Sequence, residues 1–126
     1  MNITSIGTNY NTIRNTQNFG AITASSWVKN VCGLTDDYIK AINCPNALSV
    51  DVNIHKKDRN PLEVVFAHAT YIDNKSSKTT TLYSPYDPYF YVSMRDKSSS
   101  TILYNRNQFL KCMEQIIAEY NKTHNS

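Results

Sequence analysis

An alternation of apolar and polar residues that begins at Leu48 is the strongest constraint on how this chain folds. The apolar positions are Leu48, Val50, Val52 and Ile54, and the positions between them are polar. Because successive side chains of a strand point to opposite faces of a sheet, this period of two predicts a strand with one buried face. Residues 57–61 form a predicted turn, after which Glu63 to Asp73 is expected to return as the antiparallel partner.

The register of this hairpin follows from keeping the apolar residues on one face. Setting Lys56 opposite Glu63 pairs Leu48 with Tyr71, Val50 with Ala69, Val52 with Ala67 and Ile54 with Val65. The same register places Asp51 opposite His68 on the other face. That face is more polar, although it contains Phe66 and Ile72, so we expect it to be only partly solvent-like.

Two short helices are predicted before this hairpin and one longer helix at the end of the chain. The first covers Thr23 to Cys32, with Ser25 or Ser26 as its cap and Gly33 as a left-handed stop. The second covers Thr35 to Asn43 and begins at Thr35. The final helix is indicated by an apolar stripe at helical spacing, Phe109, Met113, Ile116, Ile117 and Tyr120, with Asn105 and Gln108 spaced like a capping box.

The segments between the hairpin and the final helix read as further strands. Thr79 to Tyr83 is rich in β-branched residues, and Tyr89 to Arg95 with Thr101 to Tyr104 forms a second predicted hairpin. The predicted fold class is therefore α+β: two short N-terminal helices, an antiparallel sheet of four to five strands, and a C-terminal amphipathic helix packed on the sheet.

The chain of 126 residues has the length of one domain, preceded by a polar run. We predict a flexible tail over 1–22, a single domain over 23–122 and a frayed end over 123–126. In the tail, Ile3, Ile6, Tyr10 and Ile13 recur at helical spacing, so a segment that docks on the body or on a partner is the alternative to a disordered leader.

Composition bears on compartment and partners. No stretch has the length of a membrane span, and the N-terminus lacks the features of a secretory signal, which predicts a cytoplasmic protein without a membrane partner. The abundance of Asn, Tyr, Ile and Lys is typical of a low-GC, bacterial-type gene. A net charge of +3 falls short of the clustered basic surface of a dedicated nucleic-acid binder.

Known motifs for cofactors and metals are missing from the sequence. The three cysteines, Cys32, Cys44 and Cys112, contain no CxxC pair and indicate neither a disulfide framework nor a zinc site. Phosphate-binding GxxxxGK and nucleophile-elbow GxSxG patterns are also missing. The prediction is a protein with reduced thiols, no cofactor and no metal.

Asp51, His55 and His68 are the best candidates for catalytic chemistry. Asp51 and His55 lie about 13 Å apart on one strand and cannot touch, whereas Asp51 and His68 are cross-strand neighbours. A carboxylate can orient an imidazole for proton transfer, as a small hydrolase-like enzyme would need. The alternative is a hydrogen bond that only supports the hairpin.

A cluster of tyrosines is the clearest signal for binding. Tyr83, Tyr86, Tyr89 and Tyr91 surround a proline-containing loop, and Arg95 follows them. Aromatic rings with hydroxyl groups are common at recognition surfaces. We therefore favour a non-catalytic binding or adaptor protein that recognises a protein or peptide partner through this loop or through the tail.

Three alternatives remain open at this point. One is the small enzyme that uses the Asp51 and His68 pair. Another is a weak binder of single-stranded nucleic acid, in which tyrosines stack on bases and Arg95 contacts the backbone, although nucleic acid is not the favoured partner. The face that carries Phe66 and Ile72 could instead pair two copies as a homodimer.

Overall fold

The computed structural model describes residues 21–56, 62–73, 75–83 and 88–124. In chain order these form β1 (Ile22–Ala24), α1 (Ser26–Cys32), α2 (Asp36–Lys40), β2 (Leu48–Lys56), β3 (Leu62–Ile72), β4 (Thr79–Thr81), β5 (Tyr89–Ser93) and α3 (Ser99–His124). The fold is α+β, with an open sheet, two short helices and a C-terminal helix that packs on the sheet, as predicted. Residues 1–20 of the predicted tail lie outside this description.

The central hairpin of the sheet, β2 with β3, has the register that the apolar alternation predicts. Leu48 lies opposite Tyr71, Val52 opposite Ala67 and Ile54 opposite Val65. Beyond Ile54 the register shifts, so that Lys56 lies opposite Val64 and not opposite Glu63. An extra residue on one strand produces such a shift. It leaves the apolar pattern intact because it falls after the last apolar pair.

The sheet is mixed rather than wholly antiparallel, because β1 pairs with β2 in parallel. The Val50 amide donates to the Ala21 carbonyl and the Ser25 amide donates to the Val52 carbonyl, which extends the ladder at both ends of β1. The predicted tail included Ile22, and the first predicted helix began at Thr23. A strand of three residues is too short to show a period, so only its pairing with β2 defines it.

The remaining strands share the outer edge of β3. β4 pairs with Thr70 to Ile72, and β5 pairs with Leu62 to Phe66, both antiparallel. β4 ends at Thr81 and β5 at Ser93, two residues short of the predicted ends in each case. The long strand β3 therefore pairs with two short strands, which follow one another along the same edge.

The two short helices begin at the capping residues that the sequence marks, and α1 also ends where predicted. Helix α2 ends at Lys40, before the predicted end at Asn43. The Ser25 hydroxyl accepts from the Val28 amide, and the Thr35 hydroxyl accepts from the Tyr38 amide. Gly33 ends α1 at φ 62°, a left-handed conformation that glycine adopts without strain. Both caps and the glycine stop were predicted.

Helix α3 begins earlier than predicted and replaces a predicted strand. Thr101 to Tyr104 lies within the first turns of α3, so the predicted second hairpin is wrong. Ser98 caps the helix: its hydroxyl accepts from the Thr101 amide, and its carbonyl accepts from the Ile102 amide. Asn105 consequently lies inside the helix and is not its cap. Short apolar runs such as Ile102 to Tyr104 suit either structure, and packing decides between them.

A single apolar core fills the space between the sheet and the helices. Its most deeply buried side chains come from α1, β2, β3, β5 and α3, namely Val28, Leu48, Val52, Val65, Val92, Phe109, Met113 and Ile116. The Phe90 and Phe109 rings meet edge to face with centroids 6.3 Å apart. This contact joins β5 to α3 and helps to place α3 along the outer part of the sheet.

Candidate binding surface

Among the described residues, the helices cover one face of the sheet and no element covers the opposite face. Along β3, Val65, Ala67 and Ala69 point into the core and are buried, whereas the residues that alternate with them are half-buried or exposed. The same alternation applies to β5, where Phe90 and Val92 are buried. We call the other side, which carries Thr23, Ser49, Asp51, Asn53, Leu62, Val64, Phe66, His68, Thr70, Tyr89 and Tyr91, the open face.

Five apolar or aromatic side chains form a continuous strip on the open face. β3 contributes Leu62, Val64 and Phe66, and β5 contributes Tyr89 and Tyr91. Tyr91 lies opposite Val64, and Tyr89 lies opposite Phe66. We refer to these five residues as the aromatic strip. Adjacent strands bring them together, although the sequence separates the two sets by more than twenty residues.

The rings of the aromatic strip contact one another at right angles. The Phe66 and Tyr89 centroids are 6.1 Å apart, and the Tyr89 and Tyr91 centroids are 5.6 Å apart, both in edge-to-face geometry. Edge-to-face aromatic pairs are mutually stabilising, which holds the rings in place. Even so, Leu62 and Tyr89 are each 48% exposed and Tyr91 is 45% exposed. Large side chains that are preorganised and still accessible are typical of binding surfaces.

Among the described pairings, three acidic or basic residues occupy register positions of the open face. Asp51 is acidic, His68 lies opposite it, and Lys56 lies opposite Val64 of the aromatic strip. The five apolar or aromatic residues of the strip outnumber them. Enrichment in tyrosine is typical of the centres of protein interfaces.

The structure brings Asp51 and His68 together as cross-strand neighbours, as predicted. Both are exposed. The Asp51 carboxylate accepts a hydrogen bond from the Thr23 hydroxyl at 3.0 Å, and this bond links β2 to β1. Among the described residues no hydrogen bond joins the Asp51 carboxylate to the His68 imidazole. His55 lies in β2 at the register shift, and its side chain is outside the description.

The remaining predicted binding residues occupy different places. Tyr83 is half-buried on the helix side, where its hydroxyl donates to the Gln115 carbonyl at 3.4 Å and burial raises its pKa. Tyr86 lies outside the described residues. Arg95 follows β5 and borders a shallow depression with Leu62 and Tyr104. Tyr83 and Tyr89 line one shallow depression together with Pro88 and Gln115. Of the described members of the predicted cluster, Tyr89 and Tyr91 lie on the open face.

A cavity of about 320 Å³ lies on the other side of Arg95, between α1, the end of β5 and the start of α3. Its wall includes Val31, Met94, Ile102 and the buried Asn105. The Asn105 amide nitrogen donates to the Val31 and Ser93 carbonyls at 2.9 Å, and its oxygen accepts from the Ser93 amide. Its polar atoms are thus used within the fold. The sequence pattern indicated a helix cap at Asn105 and not this role, because an isolated Asn in a helix more often faces solvent.

The three cysteines have the environment of packing residues. Burial raises the pKa of Cys32 and Cys112 to about 12, and the nearby Arg106 offsets this only in part at Cys32. Burial raises the pKa of Cys44 to about 11, and its thiol donates to the Leu48 carbonyl. Thiolates are the nucleophilic and metal-binding form, so these environments disfavour both roles. Within the described ranges, no three His, Cys, Asp or Glu residues are grouped as metal ligands.

Comparisons of the chain with protein-family models, with characterised proteins and with solved structures return no match. In the part of the chain that the structure describes, the helices lack the length and apolarity needed to cross a bilayer. The assignment of function consequently depends on the open face and its chemistry.

Proposed function

We propose that this chain is a non-catalytic binding protein that holds a protein or peptide partner on the open face of its sheet. The aromatic strip is the observation that carries the proposal. Leu62, Tyr89 and Tyr91 are each close to half exposed although they adjoin one another. Burying such side chains against a partner releases water from apolar surface, which is the main driving force for protein association.

The position of the strip also supports binding. It lies on regular strands that are anchored to the core through Val65, Phe90 and Val92. Surfaces built on strands lose little conformational entropy when a partner binds, because the backbone is already ordered.

The arrangement of Asp51 and His68 favours the binding function over the hydrolase alternative. Both side chains are exposed, and the hydrogen bond from Thr23 gives the carboxylate a role in joining β1 to β2. General acid and base groups usually work in sites that exclude water and shift their pKa. The pair therefore fits the structural alternative better than a catalytic one.

Affinity capture with strip variants tests the proposal. We expect the full chain to retain one stoichiometric partner, which can be another copy or a different protein, and Tyr89→Ser or Tyr91→Ser to release it. Leu103→Ser is the control, since Leu103 is 52% exposed but lies on α3. Retention that is unaffected by both strip variants would refute the assignment of the strip as the binding site.

Salt dependence separates this proposal from nucleic-acid binding. Displacement of counterions makes nucleic-acid affinity fall steeply as salt rises, whereas apolar burial does not weaken in this way. We expect partner retention to persist in high salt. A captured nucleic acid that is released by salt would favour the alternative in which Tyr89, Tyr91 and Arg95 form a stacking platform.

A further inference from the structure

We infer that the partner of the open face is a second copy of this chain, bound face to face across a two-fold axis. This inference rests on the proposed function, because it names the occupant of the same surface. The helices would lie on the outside of such a dimer and the two sheets at its centre. Two sheets that pack in this way are about 10 Å apart and cross at about 30°.

The size of the open face is adequate for a dimer. Along most of β3, three strands lie side by side and span about 14 Å at the usual strand spacing. The 11 residues of β3 are about 37 Å long. The two faces together therefore project to about 1,000 Å², the lower limit of a specific interface.

The charges of the open face suit a second copy. The chain has a net charge of +3, so two copies repel each other wherever surfaces that are only basic approach. The register positions of the open face carry the acidic Asp51 as well as the basic residues His68 and Lys56, so each copy offers both signs of charge to the other. Across a two-fold axis, the Asp51 carboxylate of one copy can face a basic group of the other.

The aromatic strip is also suited to self-association. In an isologous interface both copies present the same patch, so the flat apolar surface of one copy packs against the same surface of the other. Tyrosine rings stack or meet edge to face with other tyrosines. The strip of one copy would thus extend the edge-to-face contacts already formed between Phe66, Tyr89 and Tyr91.

Sedimentation of the full chain over a wide concentration range tests the inference. The expected mass rises with concentration from the monomer value of 14.4 kDa toward twice that value. Leu62→Ser and Tyr91→Ser should each weaken the dimer, and Tyr91→Ser at least tenfold, since truncation of a tyrosine that anchors an interface costs more than about 1.4 kcal/mol. Each substitution acts twice in a symmetric interface.

A matched substitution outside the open face controls for a general loss of apolar surface. Leu103 is 52% exposed and lies on α3. Leu103→Ser should leave the dimer constant unchanged. Circular dichroism and thermal melting should show that all three variants fold, because each replaced side chain is about half exposed in the single chain.

Three outcomes would overturn the dimer. The first is a full chain that stays monomeric at every concentration, and the second is a dimer that Leu62→Ser and Tyr91→Ser leave intact. The third is a monomer in which NMR contacts place residues 1–18 on the Tyr91 ring, since the occupant would then be the N-terminal segment. Isotope-filtered contacts between the Tyr89 and Tyr91 rings of two differently labelled copies would support the dimer directly.

The failure of this inference and the failure of the proposed function can be distinguished. A monomeric chain that captures a different protein, and loses it upon Tyr91→Ser, would refute the dimer and retain the binding function. A monomeric chain whose captured partner is insensitive to both Tyr91→Ser and Tyr89→Ser would refute both.

Discussion

At the scale of single residues, Asn105 joins three parts of the fold. Its amide donates to the Val31 carbonyl at the end of α1 and to the Ser93 carbonyl at the end of β5, and it accepts from the Ser93 amide at 2.6 Å. Asn105 is 1% exposed, so water cannot replace these bonds. The side chain acts on Ser93 as a neighbouring strand would, with one donor and one acceptor.

Replacing Asn105 should destabilise the fold strongly. Asn105→Leu keeps a similar volume but leaves the Ser93 amide and the Val31 and Ser93 carbonyls without their partner. Because buried unsatisfied groups cost roughly 1–3 kcal/mol each and do not add fully, we expect a loss of about 3 kcal/mol in the free energy of unfolding. Urea denaturation measures this loss. Asn107→Leu, an exposed neighbour on α3, should change it by less than about 0.5 kcal/mol.

The thiol groups provide a second test at this scale. With a pKa of about 12, Cys32 and Cys112 should be almost entirely protonated at pH 8, with roughly one thiolate in ten thousand. We expect iodoacetamide to leave both unmodified in the folded protein and to alkylate both in urea. Cys44 is half-buried with a pKa of about 11 and should react before them. Rapid native alkylation of Cys112 would contradict its assignment as a packing residue.

At the scale of elements, the start of α3 depends on a small polar cluster. The Asp96 carboxylate accepts from the Thr101 hydroxyl at 2.6 Å, from the Ser98 hydroxyl at 2.7 Å and from the Ser98 amide. These bonds lower the pKa of Asp96 to about 2. A carboxylate at a helix N-terminus also interacts favourably with the helix dipole. The cluster accounts for a helix that begins ten residues before its apolar stripe becomes obvious at Phe109.

The pKa of Asp96 predicts a pH dependence of stability. Because the folded value lies below the unfolded value of about 3.9, the ionised carboxylate stabilises the native state above that pH. The contribution should be lost as pH falls from about 4 to about 2. Asp96→Asn should remove this part of the pH dependence of thermal melting, and Thr101→Val, which removes the first donor, should reduce it. An unchanged acid profile in both variants would contradict the assignment.

At the scale of the whole molecule, the sheet is organised around β3. β2 covers most of one edge of this strand, while β4 and β5 divide the other. The segment that connects β2 to β3 is short. Because closing a short loop costs little conformational entropy, the long ladder between these strands forms at a low entropic cost. β4 has three residues, all exposed, and should contribute little to the cooperative core.

Hydrogen exchange of backbone amides should follow this organisation. We expect the slowest exchange at amides paired between β2 and β3, because they open only when the core unfolds. Amides paired with β4 should exchange much faster. NMR detection in heavy water measures both sets in one sample. Equal protection of β4 and the central hairpin would show that β4 belongs to the core.

The sequence by itself determined the parts of this protein that a local pattern of residues specifies. The alternation from Leu48 to Ile54 was enough to set the β2 and β3 register, since a slip by one residue would expose every apolar side chain. Capping residues set the starts of α1 and α2. The reason is local, because a side-chain hydroxyl accepts a hydrogen bond from the backbone amide three residues later in the same segment.

Only the tertiary structure decided the features that depend on distant partners. β1 exists because β2 offers it an edge, and Thr101 to Tyr104 is helical because Asp96, Ser98 and the core hold it so. The open face is of the same kind: the pairing of β5 with β3 places Tyr89 and Tyr91 beside Phe66 and Val64, whereas the Tyr83 hydroxyl contacts the Gln115 carbonyl of α3. A local pattern shows which residues can share a face, but packing of remote segments determines which face is covered.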